Sequence, residues 1–295
     1  MRRGFVALGL SVALGGSLAS GFCRTTTARV RPSMLGECVS MGVPLAWKNR
    51  CTSYTLYNGR TPADIPMGTF ASIARAGADA WARVPCNAEG GGMPYYRVLP
   101  LGSTWNPTGY DPRGSNSNTL SFRFRWEDDP THRQGTIAIT VVTFDALTGE
   151  IFDADIEFNT RENTANPNGF VFATTRITDM GSADLQTIMT HELGHFLGLA
   201  HSDNDRAVRW PEAGLGEIRR DLTADDSAGM CDIYPERQAP DERCNSTPYG
   251  GLATLPGGPR VLGTCRAAPG VRTGRAGALG GLLVLALGHR RRRRA

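Results

Sequence analysis

Thr190-His191-Glu192-Leu193-Gly194-His195-Phe196-Leu197-Gly198-Leu199-Ala200-His201 is the stretch on which the fold and the chemistry of this chain turn. On a helix, His191 and His195 are spaced i, i+4, so both imidazoles leave one face and can reach a single metal ion. Glu192 stands beside them, near enough to take a proton from a water activated by that metal. Gly198 can adopt the left-handed conformation that ends a helix, which turns the chain and brings in His201 as third ligand. Three neutral imidazoles leave a fourth zinc position open, the arrangement of a catalytic rather than a structural site. The chain holds five histidines, and three fall in this run. A chance match in a sequence of this length is on the order of one in a hundred thousand.

Outward from this helix, Asp184 is placed to cap its start, and Leu185, Ile188, Met189 and Phe196 supply an apolar side facing away from the metal. Upstream, Trp47 to Tyr57 ends in an alternation that predicts a first strand. Phe70, Ile73, Ala74, Gly77, Ala80, Trp81 and Val84 recur at helical spacing over 67–84, with Pro66 near the start and Pro85 past the end. Pro94 to Leu99 and the alternating Leu120, Phe122, Phe124 and Trp126 read as further strands, separated by a Gly-, Pro-, Ser- and Asn-rich loop over 101–118. Thr136 to Phe144 is β-branched almost throughout. A turn at 146–149 leads into Glu150 to Phe158, where Phe152, Ala154, Ile156 and Phe158 alternate with Asp153, Asp155 and Glu157. Phe170 to Thr174 reads as a short strand. Thr223, with Asp226 three residues on, predicts the capped start of a last helix.

These elements and motifs resemble the metzincin metalloproteases, and within them the matrixin group. His201 is followed by Ser202 as in matrixins, and Asp184 to Ser202 is similar to their active-site helix. Gly149-Glu150-Ile151 with Asp153-Ala154-Asp155-Ile156 resembles the strand before it. Leu222 to Asp226 with Ile233-Tyr234-Pro235 resembles their C-terminal helix. The resemblance implies an α+β catalytic domain over 46–236: a twisted five-stranded mixed sheet with two long helices, and a small C-terminal subdomain with a third. It implies a zinc endopeptidase acting on protein or peptide substrates. His191, His195 and His201 would hold Zn²⁺, Glu192 would be the base, and an extended substrate would lie antiparallel along Thr136 to Phe144. Asp153, Asp155 and Glu157 could hold Ca²⁺, a cofactor many matrixins use, or could simply face solvent. Two features depart from the family. Cys38 lacks the flanking residues of a cysteine-switch propeptide. Arg209 stands in Ala207-Val208-Arg209-Trp210-Pro211 where the family's turn beneath the zinc has methionine. A buried arginine there costs several kcal/mol unless it finds a carboxylate, so it is expected to swing out or to pair with Asp203, Asp205 or Glu212.

Outside the domain, Arg2 and Arg3 precede an apolar stretch from Phe5 to Leu18 and small residues to Gly21, which reads as a signal peptide over 1–20 and an exported, cell-surface or extracellular protein. Residues 21–45 form a short N-terminal segment. Cys23, Cys38, Cys51, Cys86, Cys231 and Cys244 read as disulfide partners with 15 possible full pairings, leaving Cys265 over. Residues 237–275 read as a Pro- and Gly-rich linker. The segment 276–295, apolar and then Arg-rich, is expected to attach the chain to a membrane or cell surface. It reads either as a simple anchor with its arginines inside or, with Cys265, as similar to the MYXO-CTERM sorting tails of myxobacterial surface proteins. Ten arginines lie at Arg2, Arg3 and after Cys265, and setting them aside takes the formal charge from +4 to −6. That argues against a nucleic-acid partner, and the domain is expected to act as a monomer.

Overall fold

The computed structural model describes residues 21–28, 34, 36–49, 51–86, 94, 96–114, 116–162, 165–176, 179–235 and 260–267. The proposed signal peptide and the apolar, Arg-rich tail lie outside the described residues. Among those described, no helix is long and apolar enough to cross a membrane.

The elements run β1 (Cys51–Tyr57), α1 (Met67–Ala82), β2 (Arg97–Thr104), β3 (Thr119–Arg123), β4 (Thr136–Phe144), β5 (Ile151–Asn159), β6 (Val171–Ala173), β7 (Ser182–Asp184), α2 (Leu185–Phe196), β8 (Glu212–Ala213), α3 (Ala224–Ile233) and β9 (Arg260–Ala267). This is an α+β domain built on a mixed sheet in the order β2-β1-β3-β5-β4-β9-β8. The first four strands in that order pair in parallel, and β4 turns the sheet antiparallel against β5. The hairpin joining them is the turn read from the sequence, with Gly149 at φ 72° and Asp145 accepting from the N–H groups of Leu147 and Thr148.

Helix α1 lies on this sheet and buries the face its periodicity marks: Phe70, Ile73, Ala74, Gly77, Ala78 and Trp81. Phe70 meets Phe122 of β3 and Phe158 of β5 at ring separations of 4.7 and 5.9 Å. Each such buried ring contributes roughly 1.5–3 kcal/mol. Gly77 lets α1 and α2 approach closely, because a Cβ there would come within 3.0 Å of Leu193 Cδ1. Trp81 Nε1 donates to Thr190 O at 2.8 Å inside the same contact. The end of α1 is tied to α3 by the Cys86–Cys231 disulfide, and Cys23–Cys38 closes the N-terminal segment. That segment pairs with the site itself: Thr25 donates to Gly198 O, and Ala200 donates to Cys23 O.

Three sequence readings are corrected. Among the described residues the sheet has seven strands rather than five. Strand β2 runs on to Thr104, into the stretch read as loop. The stretch read as a linker contains β9, which pairs antiparallel along the whole of β4, from Thr136↔Arg266 to Thr143↔Arg260. A strand inserted beside an open edge gains its backbone hydrogen bonds from its neighbour, so it needs no periodicity of its own. The β4 edge expected to receive substrate is therefore covered by this chain's own residues.

The acidic face of β5 is a further correction. Asp153, Asp155 and Glu157 are buried rather than solvated. Asp155 accepts the N–H groups of Thr119 (2.7 Å) and Gly109 (2.6 Å). Glu157 pairs with Arg123 (3.2 Å) and His132 (3.1 Å), and Thr108 donates to it. Asp155 and Glu157 organise the loop between β2 and β3, and among the described residues the three acids do not gather into a cluster of metal-ligand atoms.

Candidate metal centre

Helix α2 begins where the sequence places its cap. Asp184 accepts from Thr187 N at 2.8 Å, and its carboxylate also pairs with Arg220 at 2.5 Å, fully buried. Two turns later the helix presents His191 and His195 on one side. Gly198, at φ 101°, turns the chain back; a Cβ there would press within 2.6 Å of Leu45 O, so the position requires glycine on two counts. The turn delivers His201, and one nitrogen from each of the three rings lies within 4.8 Å of the others. Among the described residues this is the one cluster of three or more ligand-type side chains able to hold a metal ion.

Hydrogen bonds orient the rings. His191 Nδ1 lies 2.7 Å from Val208 O and His195 Nδ1 2.9 Å from Leu199 O, so each donates from Nδ1 and turns a bare Nε2 inward. His195 Nε2 and His201 Nε2 are 3.2 Å apart. His191 Nε2 is buried with no hydrogen-bond partner. A buried acceptor left in this state costs about 1–3 kcal/mol, which a metal ion would recover. Burial pushes both His191 and His195 well below the ordinary histidine range, and the positive charge of Arg209 adds to this. Both rings are thus held neutral, the form that ligates metal. The donor set fits zinc.

Glu192 is fully buried. Its Oε2 accepts from the Thr140 hydroxyl on β4 at 2.5 Å, and its Oε1 accepts from Cys265 N on β9 at 3.1 Å. Burial raises its carboxyl to about 7, against the lowering effect of Thr140, Arg209 and the Cys265 N–H.

Arg209 takes neither of the courses expected of it. Its side chain stays under the histidines, 1% exposed, and donates to backbone carbonyls instead of to Asp203, Asp205 or Glu212. Nε and Nη2 reach Ala200 O at 3.2 and 3.1 Å, Nη2 reaches Leu199 O at 3.2 Å, and Nη1 donates to His191 O. Nη2 also lies 2.5 and 2.8 Å from the two ring nitrogens of His195. Asp226, a capping residue of α3, holds the turn by accepting from Val208 N (2.9 Å) and Arg209 N (3.0 Å). Burial lowers the guanidinium to about 10, with Glu192 and Asp226 opposing, so it remains charged near neutral pH. A fixed positive charge against a ligand ring opposes a divalent cation. Arg209→Met should therefore bind zinc more tightly, by the ~10- to 100-fold typical of changes around metal ligands. Titration of both proteins with a chelator, following residual zinc, measures this; equal or weaker retention by Arg209→Met would show that the guanidinium supports the site.

Residues 115–235 of the chain match the matrixin family, peptidase M10. Three curated relatives from Arabidopsis thaliana match over shorter stretches. Metalloendoproteinase 1-MMP is 43% identical over 53 residues, 18% of this chain and 15% of the relative. Metalloendoproteinase 2-MMP is 38% identical over 53 residues, 18% of this chain and 14% of the relative. Metalloendoproteinase 5-MMP is 37% identical over 51 residues, 17% and 14% respectively. The chain thus spans about 15% of the length of the first of these. The part of the chain similar to matrixins, residues 115–235, is thus the part that carries the histidine cluster.

Proposed function

We propose that the protein is a zinc-dependent endopeptidase that hydrolyses peptide bonds in proteins or peptides, with His191, His195 and His201 as metal ligands and Glu192 as general base. The observation that carries this reading is the convergence of three imidazoles, one with an orphaned buried Nε2, beside a buried carboxylate on the same helix. Zinc held there supplies Lewis-acid polarisation of a carbonyl and makes water acidic enough to attack near neutral pH. Glu192 accepts a proton from the attacking water and passes it to the departing amine nitrogen. Its hydrogen bond from Thr140 aims the carboxylate, and its raised affinity for protons suits both halves of that transfer. Export, attachment through the segment 276–295 and action as a monomer belong to the same reading. The disulfides fit an oxidising compartment.

The test is cleavage of a mixed peptide library with zinc, with a chelator, and with zinc restored; chelator-insensitive cleavage, or none at all, would overturn the assignment. Hydrolysis should also fall on acidification, because protonated imidazole releases metal and protonated Glu192 cannot act as base. Both effects have the same sign. Greatest activity below about pH 5 would contradict both roles.

Arg209 favours one second reading, a zinc-binding surface protein in which the charge against His195 has reduced or abolished turnover. Stoichiometric zinc without any cleavage of the library would select it.

A further inference from the structure

Strand β9 lies in the cleft as a substrate would. It pairs antiparallel with β4 on one side and parallel with β8 on the other, where Glu212 and Ala213 align with Arg266 and Ala267. Arg266 N donates to Pro211 O at 3.1 Å, just after the turn beneath the histidines. An extended peptide held by main-chain bonds along both its edges, with alternate side chains entering the protein, is the usual form of strand-addition recognition. The alternation is present: Cys265 is fully buried and Arg266 is exposed.

The strand also crosses the metal centre at a defined point. Gly263 packs so tightly on His195 that a Cβ would fall 2.2 Å from its Cγ. Two residues on, Cys265 N donates to Glu192 Oε1 at 3.1 Å. A peptide nitrogen within hydrogen-bond distance of the carboxylate that delivers the proton is in the place of the leaving amine. The carbonyl joined to that nitrogen belongs to Thr264, between the residue against the ligand ring and the residue against the base.

We propose that the chain is a substrate of its own centre, cut in cis between Thr264 and Cys265. The inference rests on the peptidase reading above and names a substrate for that same site. In the step, water adds its hydroxyl to the Thr264 carbonyl carbon, the C–N bond breaks, and Glu192 carries the remaining proton to the Cys265 nitrogen. Water is the one co-reactant. The products are a body ending in the Thr264 carboxylate and a fragment, residues 265–295, carrying the apolar and Arg-rich segment. The cut would separate the folded domain from the segment expected to attach it to a surface, while residues 260–264 stay joined to the body along β4.

The experiment follows the full chain by intact-mass spectrometry after zinc is supplied, with Glu192→Gln and Gly263→Val alongside and a fluorogenic peptide as added substrate. The wild type should yield fragments ending at Thr264 and beginning at Cys265, at a rate independent of protein concentration, and Glu192→Gln should stay intact. In metal-free Glu192→Gln, Cys265 should resist alkylation under native conditions. In Gly263→Val, where the new side chain collides with His195, alkylation should be at least tenfold faster and self-cleavage at least tenfold slower, while the added peptide enters more readily. A wild-type chain that stays intact yet cuts the added peptide overturns the proposal and leaves the peptidase reading standing. So does cleavage at another bond, or a rate that rises with concentration. A chain that cuts neither overturns both, and native alkylation of Cys265 in Glu192→Gln shows that β9 does not hold the cleft.

Discussion

Glu192→Ala should abolish peptide hydrolysis while the protein still binds about one zinc per chain. The carboxylate is not among the nitrogen donors that converge on the metal position, so its loss leaves all three imidazoles in place. What disappears is the acceptor for the water's proton and the donor to the leaving amine, worth roughly 10²- to 10⁴-fold for proton transfer by a positioned side chain. The same truncation strips the Cys265 N–H of its buried acceptor, at about 1–3 kcal/mol, while the Thr140 hydroxyl keeps the Glu192 carbonyl oxygen at 3.1 Å. Glu192→Gln keeps an acceptor oxygen and so separates chemistry from stability: it should fold like the wild type and be as inactive as Glu192→Ala. Zinc content by elemental analysis, turnover and thermal melting read the three quantities independently. Either variant turning over at the wild-type rate with metal bound would remove Glu192 from the mechanism.

His195→Ala should lose metal and activity together. Its ring packs against both others, with centroids 5.1 Å from His191 and 4.8 Å from His201, and its Nε2 is the one that meets His201 Nε2. Two imidazoles alone make a weak zinc site, so the fall in affinity should exceed the ~10- to 100-fold seen when only a residue supporting a ligand is changed. The variant also opens a cavity beneath Gly263 and above Arg209, which calls for circular dichroism to establish that the chain is folded before zinc is counted. Tight, stoichiometric zinc in the folded variant would place the ligands elsewhere. The loss expected here exceeds the change expected of Arg209→Met, which makes the arginine substitution the gentler probe.

Much of the domain could be read locally. Helix α2 announces itself through a cap, an apolar side and two histidines one turn apart, all within a few residues of each other. The Thr223–Asp226 capping box of α3 and the left-handed Gly198 are equally local, and both stand where the sequence placed them. Strand β4 keeps its predicted bounds because β-branched residues mark a pleated, half-buried surface whatever lies beside it. The acids of β5 were legible as an alternating face but not as a buried one. Periodicity divides a strand into two sides and does not say what covers each of them. Here the loop between β2 and β3 closes over the second side, and Gly109 of that loop and Thr119 at the start of β3 supply the N–H donors.

By itself the sequence determined the three histidines that come together, the helix that carries two of them, the turn that returns the third, and the glutamate beside them, because each depends on spacings within a dozen residues. Only the tertiary structure decided the rest. Arg209 settles under His195 because main-chain carbonyls from three residues converge there, a cage that no linear spacing encodes. Strand β9 enters the cleft because β4 and β8 offer backbone groups on either side of a gap one strand wide. Backbone hydrogen bonds are the same for every residue type, so pairing between segments far apart in the chain leaves no mark in the composition of either.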